Sequence, residues 1–128
     1  MKNTAPGINH IEYWVHDLNR SLRLFTALFS LLGWKQLSKT EFSCGTCVFY
    51  FAEKPVRRND SSGVRHVCFT APSRQTVDQV ARTLRSEDAE ILRGPLEMPD
   101  YSEAYYTVDF RDPDGNVVEV AHTPNMTF

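Results

Sequence analysis

Residues 8–16 alternate in character. Ile11, Tyr13 and Val15 fall on one side, and Ile8, His10, Glu12, Trp14 and His16 on the other. A two-residue period of this kind predicts a strand with one buried face. Leu18, Leu22, Phe25, Phe29 and Leu32 then recur at helical spacing, with Asp17 placed to cap the start and Gly33 to end it. Residues 34–37 read as a strand, 41–47 contain a turn, and 47–52 form a strongly apolar strand. Residues 53–63 are polar and rich in turn formers, so they read as a linker. The order then repeats. Residues 64–70 predict a strand, and Ser73 caps a helix whose apolar positions are Val77, Val80, Ala81 and Leu84. Residues 89–92 predict a short strand, and 93–103 a loop containing Gly94, Pro95 and Pro99. Residues 105–110 and 117–121 predict two strands joined across Asp112-Pro113-Asp114-Gly115. There the proline presets φ and the glycine supplies a positive one.

The repeat holds residue by residue. His10 and His66, Asp17 and Ser73, and Leu28 and Leu84 are each 56 positions apart. The expected fold is α+β: two βαβββ modules within a single domain over 1–128. Module 1 covers about 7–53, the linker about 54–62, and module 2 about 63–123. Each helix should cover the Ile11/Tyr13/Val15 side or the Val67/Phe69/Ala71 side of its own strands. His10 and His66 then point to the opposite face. By alternation Glu119 joins them with Val117 and Ala121, while Val118 and Val120 go under the helices.

Glu119 is the anomaly in this pattern. A carboxylate inside an apolar strand is costly without a partner. Two histidines at matching positions of a duplicated strand, with one carboxylate on the last strand, make a set suited to a divalent first-row metal. The alternative is that both histidines are satisfied core or surface residues and that Glu119 reaches solvent at a strand end.

Composition narrows the classes further. A net charge of −2 gives no electrostatic case for nucleic acid or an anionic membrane, and Arg57-Arg58 is too short to be a basic patch. No run approaches a membrane span, and the first residues carry no export signal. Three cysteines, an odd number, speak for a reducing, cytoplasmic setting rather than a disulfide framework. The sequons at Asn59 and Asn125 are then chance matches. Cys44-Gly45-Thr46-Cys47 is a lone C-x-x-C without the second pair that a structural zinc site needs, and reads as a hairpin turn.

The segments Ile8-Asn9-His10-Ile11-Glu12-Tyr13-Trp14-Val15, Gly63-Val64-Arg65-His66-Val67-Cys68-Phe69 and Tyr105-Tyr106 through Asp112-Pro113-Asp114-Gly115-Asn116-Val117-Val118-Glu119 carry a resemblance. They resemble the vicinal oxygen chelate superfamily of glyoxalase I, fosfomycin and bleomycin resistance proteins and extradiol dioxygenases, over about residues 7–123. The resemblance implies paired modules curled into a cup-like mixed sheet, with the helices outside. It implies a divalent metal (Fe, Mn, Zn or Ni) on His10, His66 and Glu119. It also implies a lyase, isomerase or dioxygenase that chelates the vicinal oxygens of a small substrate and stabilises an enolate or catecholate, and a homodimer. The alternative within the family is a drug- or metabolite-sequestering protein without catalysis.

Glyoxalase I-like members use a fourth ligand on the last strand of the first module, where residues 47–52 carry no acid. Glu12 is a candidate stand-in and catalytic group, or an exposed residue at the cup rim. Tyr106 is a candidate weak acid, and Tyr101 and Tyr105 flank the 93–103 loop. Trp14, Phe49 and Phe51 are candidates for an apolar, substrate-binding wall. Cys68 lines the cup or is a small apolar filler. No phosphate loop or nucleophile elbow appears.

Overall fold

The computed structural model describes residues 8–55, 64 and 66–126. Arg57-Arg58, Asn59, Gly63, Arg65 and most of the expected linker lie outside the described residues. The chain divides into two compact units, Met1–Arg57 and Arg58–Phe128. Each is α+β with the order βαβββ: β1 His10–Val15, α1 Leu18–Leu32, β2 Lys35–Ser38, β3 Glu41–Ser43 and β4 Val48–Glu53 in the first. The second has β5 Val67–Thr70, α2 Arg74–Ser86, β6 Ile91–Glu97, β7 Tyr106–Arg111 and β8 Val117–His122. The sheet orders are β1-β4-β3-β2 and β5-β8-β7-β6. In each unit the first and last strands pair in parallel and the others antiparallel.

The helices form where the caps allow. Asp17 accepts the Arg20 N–H at 3.1 Å, and Glu53 accepts the Leu18 N–H at 2.9 Å, so two of the orphan donors at the start of α1 are satisfied. Gly33, at φ +85°, ends the helix and returns its N–H to the Phe29 and Ser30 carbonyls. Ser73 caps α2 by accepting the Thr76 N–H at 3.1 Å. Phe25, Phe29, Phe42, Phe49 and Phe51 fill the helix side of the first sheet, with Tyr13 touching Phe25, Phe49 and Phe51. The second unit has a mainly aliphatic core of Val77, Val80, Ala81, Leu84, Val108, Phe110, Val118 and Val120. Burial alternates along β1 as the pattern requires: His10, Glu12 and Trp14 are exposed, and Val15 is buried. Among the described residues, no helix is long and apolar enough to cross a membrane.

One segment refines the expectation and another departs from it. The turn within 41–47 is confined to 44–47, because Glu41–Ser43 pairs with β4 as a further strand. The expected loop over 93–103 is strand as far as Glu97. Gly94 and Pro95 are accommodated because β6 is an edge strand with register shifts on either side of Arg93. Gly94, at φ +90°, lets β6 approach β7 closely; a Cβ there would lie 2.3 Å from the Thr107 carbonyl oxygen.

The β7–β8 turn is held by one side chain. The buried Asp112 accepts the N–H groups of Asp114 (3.0 Å) and Asn116 (2.7 Å) and the Asn116 amide (3.1 Å). Gly115, at φ +88°, closes the turn onto the Asp112 carbonyl at 2.9 Å. This fixes Phe110 opposite Val118 and Asp109 opposite Glu119.

Candidate functional site

In the second unit the sheet face away from α2 carries a row of registered positions: Cys68 beside Glu119, Glu119 beside Asp109, and Asp109 beside Arg93. Glu119 is only 5% exposed. Its Oε2 accepts hydrogen bonds from the Tyr105 hydroxyl at 2.6 Å and the Thr107 hydroxyl at 2.7 Å. Its Oε1 lies 3.2 Å from His66 Nε2. Hydrogen bonds to a charged acceptor contribute about 1.5–3 kcal/mol each, so three such contacts offset much of the cost of burying the carboxylate. The partner that the lone acid required is therefore found first within the chain.

The carboxylates shape their neighbours. Burial, and then the bond to Glu119, raise the Tyr105 hydroxyl pKa well above its ordinary value. Cys68 keeps an exposed edge, but removal of its sulfur from water, and then the Glu119 and Asp109 charges, push the thiol up to about 12. Arg93 Nη2 pairs with Asp109 Oδ2 at 2.9 Å, and Nη1 donates to the Tyr101 hydroxyl at 3.3 Å. The Tyr101 ring meets Tyr105 edge-on at 5.2 Å. Tyr101, Tyr105, Arg93, Asp109, Glu119 and His66 thus form one chain of contacts.

The open face of the first unit holds His10, Glu12 and Trp14, with Tyr50 opposite Glu12 on β4. Glu12 Oε1 accepts from the Tyr50 hydroxyl at 2.9 Å, and Oε2 accepts from the Trp14 indole N–H. These bonds, Trp14's first and then Tyr50's, lower the Glu12 pKa below the usual carboxylate value, and the bond to Glu12 raises that of Tyr50. His10 is exposed, with Nδ1 2.8 Å from Asn9 Oδ1 and its ring 5.9 Å from that of Tyr50. Lys54 lies over the Trp14 ring at 5.5 Å.

Three expected site residues belong elsewhere. Phe49 and Phe51 are buried on the helix side against Phe25, and so form no wall of the open face. Tyr106 faces α2, donates to Asp78 at 2.6 Å and lies under the Arg74 guanidinium. Its neighbour Tyr105 has the opposite parity and is the tyrosine that reaches Glu119. Thr107, Asp109, Arg93 and Tyr50 were not singled out from the sequence. A signal for Thr107 and Asp109 was present: once the turn fixes the hairpin, odd positions of β7 share the face of Glu119.

The donor chemistry of the second unit suits a divalent metal in part. An imidazole nitrogen and a carboxylate oxygen lie side by side, and the other carboxylate oxygen is tied back by two hydroxyls. No group of three His, Cys, Asp or Glu side chains able to hold a metal forms among the described residues of that unit.

A family model described as Glyoxalase/Bleomycin resistance protein/Dioxygenase superfamily matches residues 7–120. No curated protein matches the chain. Several solved structures share the fold. A glyoxalase/bleomycin resistance protein from Albidiferax ferrireducens T118 is 22% identical, with 91% of this chain and 98% of that one covered and a TM-score of 0.72. A glyoxalase/dioxygenase from Nostoc punctiforme is 19% identical, with 98% and 99% covered and a TM-score of 0.71. A lactoylglutathione lyase from Agrobacterium tumefaciens is 21% identical, with 98% and 100% covered and a TM-score of 0.61.

Proposed function

We propose a metal-dependent enzyme, from the premise that the chain belongs to the Glyoxalase/Bleomycin resistance protein/Dioxygenase superfamily. His10, His66 and Glu119 hold a divalent ion (Fe, Mn, Zn or Ni), and the substrate is a small molecule with two neighbouring oxygens. When bound, the ion supplies Lewis-acid polarisation of those oxygens. The chain's own residues do the rest. Tyr105 and Thr107 fix Oε2 of Glu119 and so hold Oε1 toward His66. Glu12, held between Trp14 and Tyr50, is an oriented acceptor for a substrate hydroxyl. The observation that carries the reading is the 3.2 Å approach of His66 Nε2 to a buried carboxylate.

The test is metal content and metal affinity of the purified chain beside His66→Ala and Glu119→Ala. The reading expects stoichiometric metal in the parent and at least a tenfold loss of affinity in each variant. Equal and negligible binding by all three proteins overturns it. Lactoylglutathione lyase and catechol dioxygenase assays on the loaded protein then separate isomerase from oxygenase.

One observation favours a second reading, a ligand-sequestering protein without catalysis: Glu119 has its own protein partners, which offset much of the cost of its burial without a cation. A metal-free chain that binds an apolar ligand without turning it over is its signature. The reading also includes a cytoplasmic homodimer. Ultracentrifugation showing only monomer at micromolar concentration overturns the dimer.

A further inference from the structure

The hairpin joining β3 and β4 carries Cys44-Gly45-Thr46-Cys47. Ser43 pairs with Val48. One step outward, the Cys44 N–H donates to the Cys47 carbonyl at 3.1 Å. The two cysteines therefore stand opposite each other, with Gly45 and Thr46 as a two-residue loop. Gly45 takes the positive φ, +96°, and donates its N–H to Ser43 Oγ at 3.0 Å. Hydrogen-bonded opposite positions on antiparallel strands have Cα atoms about 5.5 Å apart. That falls inside the roughly 4.4–6.8 Å range of a disulfide. Opposed residues also project to one side of the hairpin, so the two sulfurs share a face.

From this opposition we infer that Cys44 and Cys47 form a thiol–disulfide exchange site, which reacts with a low-molecular-weight disulfide and closes into a disulfide at the hairpin tip. The two thiols are unequal. Cys44 is exposed, with Sγ 3.5 Å from Thr46 Oγ1. Burial acts to raise its pKa, but the Thr46 hydroxyl and the local backbone bonds outweigh that and lower it. Cys47 is raised, first by burial and then by the charge of Cys44. Cys44 is therefore the attacking thiolate and Cys47 the resolving thiol.

In the first step the Cys44 thiolate attacks one sulfur of the small disulfide. That S–S bond breaks, a mixed disulfide forms on Cys44, and one small thiolate leaves and takes up a proton. In the second step Cys47 gives up its proton and attacks the Cys44 sulfur, releasing the second small thiol. The pair loses two electrons, and the small disulfide is reduced to two thiols. Closure requires the Cys47 side chain to rotate from the Val48 carbonyl, which its Sγ now faces at 3.7 Å. It makes no use of the proposed metal ligands, so it stands or falls apart from them.

The experiment incubates the full chain with oxidised glutathione, quenches with acid, and maps tryptic peptides by mass. The peptide that contains both cysteines should lose two hydrogens and retain no glutathione, and dithiothreitol should restore its mass. Cys47→Ser should trap one glutathione on Cys44, and Cys44→Ser should react far more slowly at position 47. The inference is overturned if the parent keeps glutathione on Cys44 without closing, or if the pair stays reduced while Cys68 is modified.

Discussion

Each oxygen of Glu119 answers to different neighbours: two hydroxyls on Oε2, an imidazole on Oε1. Thr107→Val keeps the shape and removes one donor. It should cost about 1.5–3 kcal/mol of stability in urea denaturation, the usual contribution of a hydrogen bond to a charged group. Tyr106→Phe should cost about 0.5–1.5 kcal/mol by losing the bond to Asp78, less than the Glu119 bond because this pair is only part-buried and water screens the charge, and should leave metal affinity unchanged. A drop in metal affinity for Tyr106→Phe would restore that tyrosine to the site. The thiols separate by pH. With Cys68 pushed up to about 12, only about one molecule in ten thousand carries its thiolate at pH 8. Iodoacetamide should therefore modify Cys44 first and Cys68 last. The Cys68 rate should rise about tenfold per pH unit up to roughly pH 11.

Adjacent residues also show what the sequence could and could not reveal. His66 and Glu119 were legible because alternation assigns each a face, and the 56-residue repeat singles out the histidine. Tyr105 and Tyr106 differ by one position, and parity alone sends one to Glu119 and the other to Asp78. Phe49 and Phe51 misled for the opposite reason. Residues 47–52 are apolar throughout, so no period marks which face is buried, and only the pairing with β1 decides it.

Among the elements, the capped helices were the most readable, because Asp17, Gly33 and Ser73 act through local hydrogen bonds that residue type foretells. Strand β6 was the least readable. Gly94 and Pro95 announce a break, yet an edge position and two register shifts absorb them. Gly94→Ala tests this account. The added methyl meets the Thr107 carbonyl oxygen at 2.3 Å, and the positive φ alone costs about 1–3 kcal/mol. The expected outcome is a lower denaturation midpoint, together with weaker metal binding, because Thr107 is a support of Glu119. Unchanged stability would mean that β6 and β7 can part freely at this point.

For the whole molecule, the two units repeat one order of elements with different core chemistry. The first packs Phe25, Phe29, Phe42, Phe49 and Phe51 together, and Phe29 also meets Trp34 at 4.8 Å. The second relies on Val77, Val80, Val108, Val118 and Val120. Phe29→Ala should cost about 3–5 kcal/mol and Leu84→Ala about 2–5 kcal/mol. Only the first should erase much of the near-ultraviolet circular dichroism, measured below the unfolding transition. An unchanged signal in Phe29→Ala would mean that the aromatic rings of the first unit keep their places without Phe29.

The register carries one more consequence, for descent. Glu12 and Cys68 are 56 positions apart, and their parallel partners are Tyr50 and Glu119. If the halves arose by duplication of one ancestral segment, the copies have since placed their acid on different members of the same strand pair: the first strand in one, the last in the other. A histidine lies two residues earlier in both. A chain carrying Glu12→Cys and Tyr50→Glu would give both halves the same pair of side chains on these two strands, beside the histidine they already share.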